Sequence, residues 1–265
     1  MLCLSGRMFE HGGKIAPLER FLKVASELGY EGVELRGGHL SASSSPAEVT
    51  HVAQALKKYR LECAFLTAPE PVDEATLELA QTAVKYAHQL GAYGIRTAVT
   101  SLDYIAGLKA LARFAAAEDV KVFAQLHERT LLADTASAKA TLEAIAHTNF
   151  GLAFEPSHLL FAGVTPEETP KALAELLPWV MCVSVQNHKP WLAGHPSPKL
   201  TLGGRDWSLA LPEDRQGVPW LEVFRALKKA NYKGPIVAMP ALYPRLSPEA
   251  YADHYLRIMR AFWRG

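Results

Sequence analysis

Cysteine is scarce. The 265 residues hold three, Cys3, Cys63 and Cys182, far apart and odd in number. That excludes a disulfide scaffold and a cysteine-type zinc site, and leaves three small core residues in a reducing compartment. An excess of one charge is also missing, with 28 basic against 27 acidic residues and no basic block. Sequence-independent nucleic-acid binding works through phosphate neutralisation, so it has no support here. No apolar run approaches the length of a membrane span, and Met1-Leu-Cys-Leu-Ser-Gly lacks a basic leader with a long apolar stretch behind it. A soluble cytoplasmic protein without membrane partners is expected. Absent too is a Gly-x-Gly-x-x-Gly turn after the first apolar run. Gly37-Gly38 and Gly203-Gly204 have the wrong spacing for dinucleotide binding.

What is present is a rhythm. Short apolar runs begin near Leu2, Gly32, Leu61, Gly94, Val120, Gly151, Val180 and Pro235, with helical periodicity between them. Leu18, Phe21, Leu22, Ala25 and Leu28 make one helical stripe, and Tyr251, Tyr255, Ile258, Met259 and Phe262 make the last. Ser45-Pro46-Ala47-Glu48 and Ser247-Pro248-Glu249 read as helix starts, while Gly29, Gly91 and Gly234 read as helix ends. Eight strands, eight helices and no linker predict a single (β/α)8 barrel over residues 1–265, an α/β fold. An open doubly wound sheet is the rival. The Gly/Pro-rich stretch from His188 to Gly217 breaks the rhythm and reads as one long loop lying over the strand ends as a lid.

Strand alternation then selects the residues facing the barrel axis. In Phe150–Glu155 the apolar Leu152 and Phe154 should pack under helices, so Glu155 faces in, with His158 three residues on. The same reasoning turns Glu34 and Arg36, Gln125 and His127, and Ser184, Gln186 and His188 inward, with Arg7 and Arg96 as additions. Active sites of such barrels are assembled at this C-terminal face from several strands. A Pro-Ser turn between Glu155 and His158 would let both reach the same mouth. Each feature also has a plain structural explanation: Glu34 with Arg36 or Arg96 makes a buried ion pair, and the histidines bond loop backbone.

The residues resemble the xylose isomerase-like TIM-barrel superfamily, the sugar phosphate isomerases and epimerases, with inosose dehydratases and endonuclease IV as relatives. The segments that carry the resemblance are Leu28-Gly-Tyr-Glu-Gly-Val-Glu-Leu-Arg36, Gly151-Leu-Ala-Phe-Glu-Pro-Ser-His158 and the passage from Pro219 to Ile236. It implies one divalent ion held by a Glu, an Asp, a His and a Glu at the ends of the fifth to eighth strands. It also implies two Glu residues that move the proton. Here those four places carry Gln125, Glu155, Ser184 and Met239. A glutamine cannot abstract a carbon-bound proton, and a thioether is a poor ligand for a hard ion. The expected metal site is therefore altered, and the two-Glu epimerase mechanism is not expected.

Two readings of function follow. In the first, the protein is an isomerase or epimerase with Glu155, His158 and His127 as catalytic groups. Glu155, His127, His158 and His188 would then supply a rearranged site for Zn²⁺, Mn²⁺ or Mg²⁺, unless the histidines only bond backbone. In the second, a pseudoenzyme holds a small carbohydrate. Glu34, Arg36, Arg96, Gln125, Gln186 and His188 would line the pocket, and Arg36, Arg96 and Arg7 would suit an anionic ligand. Trp191 and Trp207 would stack on a sugar or anchor the loop. Abasic-site nuclease chemistry needs a multi-metal cluster and a basic surface, and the sequence offers neither.

Overall fold

The computed structural model describes residues 1–244 and 246–265. In chain order, β1 (Leu2–Ser5) leads into a short 3-10 turn carrying Arg7 and a two-strand hairpin, β2 (Glu10–His11) and β3 (Lys14–Ile15). There follow α1 (Leu18–Leu28), β4 (Gly32–Leu35), α2 (Pro46–Tyr59), β5 (Glu62–Thr67), α3 (Leu77–Gln89), β6 (Gly94–Thr97) and α4 (Ile105–Ala117). The second half comprises β7 (Lys121–Gln125), α5 (Thr135–Ile145), β8 (Phe150–Phe154), α6 (Ser157–Phe161), α7 (Thr169–Leu176) and β9 (Val180–Val185). Strands β10 (Asn187–Pro190), β11 (Leu200–Leu202) and β12 (Arg205–Ala210) precede α8 (Trp220–Lys229), β13 (Ile236–Ala238) and α9 (Pro248–Arg264).

Eight strands close into a parallel barrel in the order β1, β13, β9, β8, β7, β6, β5, β4, and β1 pairs on its other side with β4. The predicted (β/α)8 architecture is therefore the observed one. Alternation sorts the side chains as expected: Cys3, Phe65, Phe123, Ala153, Cys182, Val237 and Met239 pack within the barrel. Val33, Leu35, Val122, Leu152, Phe154, Val183 and Val185 face outward into a larger core under the helices. All three cysteines are buried and unpaired, as small core residues. Among the described residues no helix is long and apolar enough to cross a membrane.

Helix ends follow the local chemistry. Ser45 accepts the Glu48 amide proton while Glu48 takes the Ser45 N–H, a reciprocal box ahead of Pro46 in the first turn of α2. Ser45→Ala should lower stability by about 1 kcal/mol, readable by denaturant unfolding. Gly29 ends α1 in the left-handed region at φ 87°. Gly234 does not cap α8, as the sequence had led us to expect. Asn231 takes the positive φ of 52°, and an Asn side chain tolerates that conformation. Gly234 is needed for another reason: a Cβ there would lie 2.4 Å from the Met181 carbonyl oxygen.

Two further expectations need correction. The stretch from His188 to Gly217 is not one loop, because β10, β12 and β11 form an antiparallel sheet over the barrel end. Its Gly203, at φ 58°, lies so close to the Phe161 carbonyl that no Cβ fits between them. The Pro-Ser step after Glu155 is the start of a helix, α6, with Pro156 at its N-cap.

Candidate functional site

Barrel closure brings the ends of β4 to β9 around one hollow, and its centre is Glu155. This carboxylate is 0% exposed. Its Oε2 accepts from Gln125 Nε2 at 2.7 Å, and its Oε1 accepts from His158 Nε2 at 3.1 Å and from Gln186 Nε2. Burial alone would raise its pKa. The charge and hydrogen bond of His158, then Arg7 and Arg96, outweigh that and hold it below the ordinary value. Gln186 is itself fixed, since its carbonyl accepts from Ser157 Oγ at 2.9 Å and from the Trp220 indole at 3.1 Å. Its amide oxygen accepts from Arg7 Nη1 at 3.4 Å.

His158 stands between two carboxylates. Because α6 starts immediately after Glu155, His158 falls in its first turn and turns Nε2 back to Glu155, while Nδ1 bonds Glu128. Burial lowers its pKa, but the Glu155 charge and the hydrogen bonds to Glu128 and Glu155 raise it to about 9. At neutral pH it is an imidazolium donating from both nitrogens. Glu128 falls to about 2, where the bond from His158 overcomes its desolvation.

His127 differs. Desolvation and the neighbouring His158 charge hold it at about 4, so it is neutral. Its ring centre is 4.1 Å from that of His158. Nδ1 accepts from the Arg129 N–H at 3.2 Å and lies 3.1 Å from Glu128 Oε2. His188 is neutral as well, lowered to about 3 by burial, then Arg7 and His158, and its Nδ1 is buried without a partner.

Of the remaining residues named from the sequence, Arg36 and Arg96 line the mouth. Glu34 Oε2 accepts from Ser5 Oγ at 2.5 Å, and its Oε1 lies 3.7 Å from Arg36 Nη1, so the anticipated ion pair is present. Arg36 also faces Glu10 at 3.5 Å. Arg96 is 7% exposed, with its guanidinium carbon 5.6 Å over the Phe65 ring. Trp207 is buried, donates to the Leu202 carbonyl at 3.1 Å and packs edge-on against Phe161. It is an anchor of the outer sheet. Trp191 is half-buried under the Lys199 ammonium, 5.6 Å from the ring centre.

Glu128 is the candidate site residue that sequence reasoning missed. Together with His127 and His158 it forms a group whose donor atoms lie within 4.8 Å of one another and could hold a metal ion. His188 and Glu155, the other two ligands named from the sequence, lie outside this group. At the positions where metal ligands were expected by resemblance, the donors are the Gln125 amide, the Glu155 carboxylate, the Ser184 hydroxyl and the Met239 thioether.

Two adjoining cavities open here. One of about 230 Å³ is lined by Gln125, His127, Arg129 and Thr130, and one of about 400 Å³ by Arg36, Ser41 and Thr67. Glu70 and Arg96 line both. Larger hollows lie away from this cluster. One of about 540 Å³ is at the N-terminal ends of the strands, beside Met1, Glu62 and Lys121. Another of about 470 Å³ is beside Asp214, Trp220 and Arg225.

Comparison with known proteins agrees with this architecture. The probable 3-DHS dehydratase AsbF from Bacillus anthracis superposes with a TM-score of 0.76 at 15% identity, covering 98% of each chain. A D-psicose 3-epimerase, solved in the presence of D-fructose, gives 0.75 at 14% identity over 100% of this chain and 99% of the epimerase. A xylose isomerase-like TIM barrel protein from Mycobacterium smegmatis, in complex with magnesium, gives 0.71 at 15% identity, over 99% of this chain and 96% of that one. At such identities the likeness is one of fold. No curated protein sequence matches the chain. The family model for the xylose isomerase-like TIM barrel matches residues 22–262. By that match the chain belongs to the xylose isomerase-like TIM barrel family.

Proposed function

We propose that the protein binds a small carbohydrate at the barrel mouth and moves a proton on it, as an isomerase rather than a two-base epimerase. The observation that carries this reading is the row Glu155–His158–Glu128 with neutral His127 tilted against the His158 ring. Glu155 is a poor base: three donors saturate its oxygens and its pKa is lowered. His127 is the better proton acceptor. It is uncharged at neutral pH and lines the 230 Å³ cavity, with the Arg129 N–H donating to its Nδ1. His158, an imidazolium held by two carboxylates, orients Glu155 and Glu128 and supplies positive charge near a developing enediolate.

The two rings lie 4.1 Å apart, so they would approach a ligand from the same direction. Moving a proton between adjacent carbons over one face of an enediol needs a single base, whereas inverting a carbon needs groups on opposite faces. The geometry favours the former. The relatives solved with a sugar and with magnesium support a carbohydrate site in this fold. A divalent ion held by His127, Glu128 and His158 would first have to displace the His158 proton; it would then polarise a substrate oxygen, and two imidazoles with one carboxylate suit Zn²⁺ best. The saturation of Glu155 also supports the second reading, a barrel that binds without turnover.

The test is deuterium uptake from D₂O into a panel of aldoses, ketoses and their phosphates, with chelator present. His127→Asn should reduce uptake by about 10²–10⁴-fold while the sugar still raises the melting temperature. Uptake that depends on added metal would favour the ion. Binding without uptake for every sugar would leave the binding-protein reading.

A further inference from the structure

A guanidinium reaches one of the positions where the resemblance expects a cation ligand. Met239 ends the eighth barrel strand, where the resemblance expects a carboxylate, and its sulfur lies 3.6 Å from Arg96 Nη1. Arg96 comes from β6 and crosses the barrel interior to reach it, lying over Phe65. Gln125, at another expected ligand position, turns its amide N–H toward Glu155. A thioether and an amide donor do not suit a hard cation, and a fixed guanidinium beside them repels one. The residues at these four positions therefore do not fit a divalent ion.

Arg96 is also short of partners. Among the described residues no carboxylate lies within salt-bridge distance of it, and its Nε is buried without a hydrogen bond. Thr67 Oγ1 and Ser184 Oγ, at inward positions of β5 and β9, are buried and unpartnered too. Glu155 and Glu70 feel its charge without pairing with it directly; a buried guanidinium without a bonded counter-charge is costly, and an incoming anion would offset that cost. Arg96 borders both cavities of the mouth, so a ligand in either can reach it.

We infer that Arg96 replaces the divalent cation and holds an oxyanion of the carbohydrate, the carboxylate of a sugar acid or a sugar phosphate. The guanidinium offers paired donors matched to either group. This rests on the carbohydrate site proposed above, but it concerns binding and needs no turnover.

The test uses the full chain with chelator present, titrated calorimetrically with gluconate, glucose 6-phosphate, inorganic phosphate and glucose. One of the two anionic sugars should bind at least about tenfold more tightly than glucose, and which one binds separates carboxylate from phosphate. Arg96→Met should remove that preference by about tenfold or more, without lowering the melting temperature of the free protein. Arg96→Lys should retain part of it. Met239→Glu should abolish anion binding by pairing Arg96 internally, and should confer no Mn²⁺ binding. The inference is overturned if glucose binds as tightly as both anionic sugars, or if no anionic sugar binds at millimolar concentration. Anion binding that needs added Mn²⁺, or that survives Arg96→Met, also overturns it. An anion preference retained in Arg96→Met would sink the arginine's role alone, whereas loss of deuterium uptake with anion binding intact would sink only the isomerase reading.

Discussion

Glu155→Leu is expected to lower folding stability by about 3–5 kcal/mol, because it breaks a buried charge pair from one side. Leucine is close in volume, so the cavity contribution is small. What remains is an imidazolium at His158 with one carboxylate instead of two, and the Gln125 and Gln186 amides lose their acceptor. Each unsatisfied buried donor costs about 1–3 kcal/mol, which alone reaches the lower end of the range. Removing His158 as well should cost less than the two single changes added together. The double variant buries neither half of the pair, and residues in direct contact couple by about 0.5–3 kcal/mol. Urea unfolding of the two single variants and the double variant measures both quantities. A loss under about 1 kcal/mol for Glu155→Leu would show that the carboxylate is not the hub of the network.

The parts of this site that lie on strands were legible in the sequence, and those beyond them were not. Period-two alternation places Glu34, Gln125 and Ser184 on the barrel interior because β4 and β7 alternate throughout, and β9 alternates from Cys182 onward, beyond its register shift at Met181. β7 ends at Gln125, so alternation has no authority over the loop that follows, and Glu128 escaped notice beside His127. Its role depends on His158, thirty residues later, which a local reading cannot see. Helix α6 has five residues, too few to display a 3.6-residue period. The outer sheet was taken for a loop because β10 to β12 are short, polar and interrupted by glycine and proline. Its packing rests on contacts such as Trp207 against Phe161, which only the closed barrel brings together. The arginines were visible as inward residues, but nothing in the sequence said that Arg96 would meet Met239.

Stability should peak near pH 6.5 and fall on both sides, with His158 setting the alkaline limb. An unfolded histidine titrates near 6.5, whereas folded His158 titrates at about 9, since the charge of Glu155 and the bonds to Glu128 and Glu155 overcome burial. A raised pKa contributes stability that is complete below about pH 6.5 and is lost as pH rises through about 9, a loss of about 3 kcal/mol. His127 and His188 act in the opposite sense. Burial first, then neighbouring positive charge, lowers them to about 4 and about 3. Their contribution is present above about pH 6.5 and is lost as pH falls through those values. Glu128, at about 2, adds a loss that begins below the ordinary carboxylate range. Urea unfolding with chelator present, in steps from about pH 5 to about pH 10, should trace the curve. His158→Gln should flatten its alkaline side and leave the acid side sloping, because His127 and His188 still carry their burial cost when protonated. An alkaline slope unchanged in that variant would mean that the proton lost above neutrality belongs to another group, and that His158 is not the imidazolium between Glu155 and Glu128.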